Sequence, residues 1–209
     1  MRFWILFLVM LMGFSQTVYS NTYLTENASW YSGLTASQWT SLVAGDLNND
    51  GYQDLVQIGC TNTLGQDCNG YLAKVYINNG SSFVENSTWQ QNLTSVNYGS
   101  LALGDVDNDG DLDLVLNGCV NGGGTVATCP NSNDIFSAFY INNGFSFVQN
   151  STWQGSIVKT WKGSFVFGDI DLDGRLDLIV TGATNSAPVS KVYINNGISF
   201  NESFFGVKI

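Results

Sequence analysis

Three stretches of this 209-residue chain crowd carboxylates at one spacing: GDLNNDGYQDLV at 45–56, GDVDNDGDLDLV at 104–115 and GDIDLDGRLDLI at 168–179. Counted from the first Asp, side-chain oxygens stand at positions 1, 3, 5 and 9. These are Asp46, Asn48, Asp50 and Asp54; then Asp105, Asp107, Asp109 and Asp113; then Asp169, Asp171, Asp173 and Asp177. Position 6 is Gly51, Gly110 or Gly174, which permits a sharp turn, and the carbonyl at position 7 (Tyr52, Asp111 or Arg175) adds an oxygen. Alternating oxygens around one point suit a hard cation that takes six to eight oxygen ligands, and Ca²⁺ above others. Two carboxylates about 4 Å apart repel by roughly 4 kcal/mol at an effective dielectric near 20, so clusters this dense call for a counter-charge. Asp, Asn and Gly also make good turns without any metal. Three copies with oxygen at the same four places favour the cation, and we expect about three Ca²⁺, one per stretch.

The elements that must hold these loops are repeated with them. The first Asp residues are 59 and 64 residues apart, and each loop is followed by KVYINNGSSF, AFYINNGFSF or KVYINNGISF. Two copies then continue as VENSTWQ and VQNSTWQ, echoed near the amino terminus as TENASWY. Each unit reads as four short strands. The first enters the acidic loop, the second leaves it (DLVQIG, DLDLVLNG, LDLIVTG), the third ends in Tyr-Ile, and the fourth carries the segment from Ser-Phe to Trp. Asn79-Gly80, Asn143-Gly144 and Asn196-Gly197 predict hairpins, because both central residues tolerate positive φ. Four-stranded antiparallel units repeated at this length are β-propeller blades. The expectation is an all-β chain of three blades, with repeats at about 32–90, 91–154 and 155–206 within a domain spanning 21–209. Propellers close with four to eight blades, so three leave apolar faces open. A partial propeller, completed by self-association or by another propeller fragment, follows.

The loops open as an EF-hand loop does, but position 12 is Gln57, Leu116 or Val180 where an EF-hand has an acid, and no helix flanks them. An Asp at position 9 running into an apolar strand instead resembles the FG-GAP repeats of integrin α-subunit propellers and the related VCBS-type repeats. FGDIDLDGRLDLIVTG, with Phe167-Gly168-Asp169, is the nearest copy, and the resemblance covers most of residues 40 to 205. It implies that the loops between first and second strands bind calcium and that the propeller serves adhesion or ligand recognition. The integrin propeller has seven blades; this chain departs from it in number.

Composition narrows the classes further. Twelve of the seventeen acidic residues lie in the three loops, so the formal charge of −10 is local chemistry. Seven Lys and Arg offer no basic patch for nucleic acid. The opening MRFWILFLVMLMGFSQTVYS reads as a secretory signal, cleaved after Ser20, with an uncleaved signal anchor as the alternative; no later stretch has the length of a membrane span. Secretion in turn predicts disulfides within Cys60/Cys68 and Cys119/Cys129, each pair just after a second strand. A zinc site competes poorly, given seven and nine intervening residues and no His. Six Asn-X-Ser/Thr sequons, at Asn27, Asn79, Asn86, Asn92, Asn150 and Asn201, suit a secreted glycoprotein.

The lack of His and of a thiol nucleophile argues against an enzyme. Outside the loops the acids are Glu26, Asp67, Glu85, Asp134 and Glu202, leaving a carboxylate-pair, polysaccharide-active enzyme, or a non-catalytic part of one, as the alternative. In a four-stranded meander, the acidic loops and Asn-Gly turns share one rim. The cysteine loops and the aromatics Trp39, Tyr98 and Trp161 share the other. Loops on a rigid scaffold carry recognition, and this second rim is the expected face for an extracellular protein or glycan. Wedging of the same aromatics between blades is the structural alternative.

Overall fold

The computed structural model describes residues 27–61, 68, 70–120, 129, 132–155 and 157–203. The expected signal segment 1–20, Glu26 and Asp67 lie outside the described residues. The chain forms three four-stranded antiparallel sheets in sequence order. The first is β1 (Gln38–Gly45), β2 (Asp54–Cys60), β3 (Tyr71–Asn78) and β4 (Phe83–Glu85). The second is β5 (Asn97–Gly104), β6 (Asp113–Cys119), β7 (Ile135–Asn142) and β8 (Phe147–Gln149). The third is β9 (Trp161–Gly168), β10 (Asp177–Ala183), β11 (Pro188–Asn195) and β12 (Phe200–Glu202). These are propeller blades, packed first on second and second on third, with β1, β5 and β9 side by side along the shared edge. Among the described residues, no helix is long and apolar enough to cross a membrane.

Alternation along each strand sends one set of side chains to each neighbour. Val56, Ile58 and Val75 of the first blade meet Leu101, Leu114, Leu116, Ala138, Tyr140 and Phe147 of the second. Ala102, Val115 and Phe139, on the second blade's other face, meet Phe165, Leu178, Val180, Tyr193 and Phe200. A middle blade is therefore apolar on both faces, and β6, like β2 of the first blade, is buried along its whole length.

Two expectations need correction. The repeated Trp does not lie on the outer strand, which is only three residues long. It lies on a one-turn helix: Ala28–Tyr31, Ser87–Gln90 or Ser151–Gln154. The Asn before each turn is the cause. Asn86 accepts the amides of Thr88 and Trp89, and Asn150 those of Thr152 and Trp153, which ends the strand and caps the helix. Each turn sets its Trp on the outer-strand Phe of the blade that follows, at 5.4 Å for Trp30–Phe83 and 5.2 Å for both Trp89–Phe147 and Trp153–Phe200. The Asn-Gly hairpins differ as well. Only the Gly takes positive φ, at 84°, 83° and 87° for Gly80, Gly144 and Gly197. Asn79 instead accepts the amides of Ser81 and Ser82, holding a four-residue connection between β3 and β4.

Candidate metal centre

Each acidic loop links the first two strands of its blade and is folded by its own carboxylates. Asp46 accepts the amides of Asp50 and Gly51 at 3.0 and 2.8 Å. Asp105 accepts those of Asp109 and Gly110, and Asp169 those of Asp173 and Gly174, all at 3.0 Å. The position-5 carboxylates of Asp50, Asp109 and Asp173 each accept the amide two residues on, at 2.9 Å. A carboxylate offers about four lone-pair sites, so these bonds leave acceptor capacity unused.

The position-9 Asp is a different kind of residue. Asp54, Asp113 and Asp177 are fully buried. Asp54 accepts the amides of Leu47 and Asn78 at 3.0 and 2.8 Å, Asp113 those of Val106 and Asn142 at 3.0 and 2.9 Å, and Asp177 those of Ile170 and Asn195, both at 2.8 Å. One carboxylate thus fastens its loop to the end of the third strand. Burial pushes the Asp113 carboxyl up to about 7 against the pull of those two amides, with Asp107 and Asp109 adding to the rise. Burial raises Asp54 too, helped by Asp50 and Asp46, and burial followed by Asp109 and Asp105 raises Asp107.

The loops differ in what they gather. Asp105, Asp107 and Asp109 bring carboxylate oxygens within 4.8 Å of one another, as do Asp169, Asp171 and Asp177. Both clusters can hold a metal ion, and an all-oxygen donor set fits a hard one. In the third loop Asp173 is instead held by the guanidinium of Arg175, whose Nε donates to the carbonyl of Asn195 at 2.8 Å. In the first loop Asn48 replaces an acid and donates to Asp50 at 3.0 Å; among the described residues the carboxylates there form no third cluster. The position-7 side chain of Asp111 accepts a bond from Asn49 at 2.6 Å, joining the first two loops.

Sequence reasoning passed over the first Asn of the INNG motif. Asn142 donates its side-chain amide to the carbonyl of Leu47, and Asn195 to that of Val106, each at 2.8 Å and each reaching the preceding blade's loop. A polar residue ending an apolar strand in all three copies was the available signal. Phe145, Leu172 and Ile198 were missed too. They are 70–86% exposed on or beside the acidic loops and hairpin tips. Leu172 holds φ 64° where the other loops place Asn49 and Asn108, a conformation Asn tolerates better.

At the opposite end of the strands, the Cys60–Cys68 and Cys119–Cys129 disulfides are formed. Trp39, Tyr98 and Trp161 come together there. Trp39 and Tyr98 are 4.8 Å apart, Tyr98 and Trp161 6.4 Å, and Lys162 Nζ lies 4.7 Å from the Trp161 ring centroid. Lys162, not Trp161, repeats Trp39 and Tyr98; these three hold φ 51°, 50° and 48° at a bulge in each first strand. Because all three blades share it, this strained bulge belongs to the blade architecture.

The stretch from β1 through the first acidic loop into β2 decides the family comparison. Residues 38–56 match the FG-GAP repeat. The FG-GAP match spans the first strand, the first loop and the start of the second strand, and the second and third blades repeat that loop's first Asp, Gly and buried ninth-position Asp. No curated protein matches the chain.

Proposed function

We propose that this chain is a calcium-dependent extracellular recognition module built from FG-GAP-type blades. The observation that carries the proposal is the pair of carboxylate clusters, Asp105/Asp107/Asp109 and Asp169/Asp171/Asp177, in loops of identical register. Ca²⁺ would neutralise the like charges and be held by these carboxylates, by Asp46, Asp50 and Asn48 in the first loop, and by the position-7 carbonyls. The ion supplies charge and coordination; the chain's own amides already set the loop path. The two disulfides and the FG-GAP match support an extracellular or cell-surface setting.

The ligand face we favour is the rim of Trp39, Tyr98 and Trp161, where stacked rings and the Lys162 ammonium offer a platform for a glycan or a protein side chain. A second reading is favoured by the exposed Phe145, Leu172 and Ile198, which would place a protein ligand over the acidic rim. A glycan array and a panel of extracellular proteins, probed in calcium and in EDTA, test both. Saturable binding that EDTA removes supports the module. Loss in Trp39→Ala assigns the aromatic rim, and loss in Leu172→Ser assigns the acidic one. No saturable binding to any probe, or turnover of a polysaccharide, overturns the reading.

A further inference from the structure

The two seams between blades use one set of contacts. The residue after each first Asp is covered by the next blade: Leu47 is 1% and Val106 0% exposed. The next blade's third strand ends in an Asn that donates to that residue's carbonyl, Asn142 to Leu47 and Asn195 to Val106. The Gly before each first Asp makes room for the neighbour. A Cβ on Gly45 would meet Leu112 and Leu103 at 2.7 and 2.8 Å, and one on Gly104 would meet Phe167 and Leu176 at 2.8 and 2.9 Å.

On the third blade, the face prepared for a successor is bare among the described residues. Ile170, the counterpart of Leu47 and Val106, is 40% exposed, and a Cβ on Gly168 would meet nothing within 4 Å. Val166 and Ile179 are 52% and 37% exposed, whereas Ala102 and Val115, at the same places in the second blade, are 9% and 1%. The first blade shows the converse. Asn78 donates to Gln53 in its own blade at 3.1 Å but, unlike Asn142 and Asn195, to no preceding loop among the described residues. Leu42, counterpart of the buried Leu101 and Phe165, is 53% exposed.

The Trp turns decide which ends meet. Phe83, Phe147 and Phe200 each carry a Trp from the turn before their own blade. After the third blade, the places of Asn86 to Trp89 hold Ser203-Phe204-Phe205-Gly206, so no Trp is offered to a successor. A successor must bring its own, and the first blade does so with Trp30.

We propose that the open face of the third blade is covered by the first blade of a second copy, and reciprocally, giving a two-fold, head-to-tail ring of six blades. A heterologous contact whose rotation closes makes such a ring, and six lies within the range in which propellers close. Asn78 then donates to Ile170 of the other copy, and the seam is continuous with the two inside each chain. Ala44 and Gln53 stand where Leu103/Leu112 and Phe167/Leu176 fill the inner seams, so this seam is less apolar and the association reversible.

Sedimentation of the full chain over a range of concentrations tests the proposal independently of calcium uptake, which needs neither seam. The expected result is a species of twice the chain mass that dissociates on dilution into a folded monomer. Leu42→Glu and Val166→Lys each remove the dimer while keeping the circular dichroism of the original. Mixing them restores it, because one seam is unaltered and the other sets Glu against Lys at places matching Leu101 and Val43, which share one core. Ile179→Lys replaces Val166→Lys if that variant fails to fold. An unaltered chain that stays monomeric throughout overturns the proposal. So does a dimer indifferent to Leu42→Glu, which would mean third blade against third blade.

Discussion

The side-chain amide of Asn142 lies 2.8 Å from the carbonyl oxygen of Leu47, so the third strand of the second blade is fastened to the acidic loop of the first. Leu47 is only 1% exposed, so its carbonyl is shielded from bulk solvent. Asn142→Ala is expected to cost about 1–3 kcal/mol, the usual range for leaving a buried polar group unsatisfied. Asn195→Ala should cost a similar amount, and Asn78→Ala less at low protein concentration, because within one chain Asn78 makes no cross-blade bond among the described residues. Urea unfolding of the three variants measures the order.

Acid should stabilise the metal-free protein and destabilise the calcium form. The folded value of about 7 for Asp113 lies above its ordinary value of 3.8, so between the two the folded chain holds the extra proton. That contribution is fully present below about 4 and is lost as pH rises through about 7; at roughly 1.4 kcal/mol per unit it amounts to about 4 kcal/mol at most. The raised Asp54 and Asp107 act in the same direction. Calcium needs the ionised carboxylates and reverses the sign. Melting in EDTA should therefore be higher at pH 5 than at pH 8, and melting in calcium the opposite.

Two glycines at equivalent places should respond differently to the same methyl group. Gly104→Ala pushes against Phe167 and Leu176 and is expected to cost about 1–3 kcal/mol, as overpacking does. Gly168→Ala meets open space and should change stability by less than about 0.5 kcal/mol. Unfolding at low protein concentration, where each chain stands alone, makes the comparison.

Removing the Cys119–Cys129 bridge by Cys119→Ala with Cys129→Ala should cost about 2–3 kcal/mol, the loop-closure estimate for a short loop. The acidic rim lies at the other end of the strands, so calcium affinity should stay unchanged. Calorimetry on the double variant reads both quantities.

The strands, their order and the acidic loops were legible because the chain states them three times, with Asp spacing and apolar alternation in agreement. The Trp turns were not. A single helical turn is too short for a 3.6-residue period to show, and Asn86 and Asn150 stop the outer strand with a cap that reads in sequence as one more polar residue. The fastening of the loops by Asp54, Asp113 and Asp177 was hidden as well, since spacing reveals oxygens around a point but not the amides that come from a distant strand. The bulges at Trp39, Tyr98 and Lys162 left no signal, because bulky residues at positive φ contradict local preference and are imposed by the sheet.

Isothermal titration of the EDTA-stripped chain with calcium, paired with melting in calcium and in EDTA, tests the central claim most directly. We expect saturable uptake of about three ions per chain, one per loop. The Asp105/Asp107/Asp109 site should bind more tightly than the third loop, where Arg175 engages Asp173, and Asp107→Asn should remove one ion. A flat titration together with identical melting in EDTA and in calcium would contradict the account.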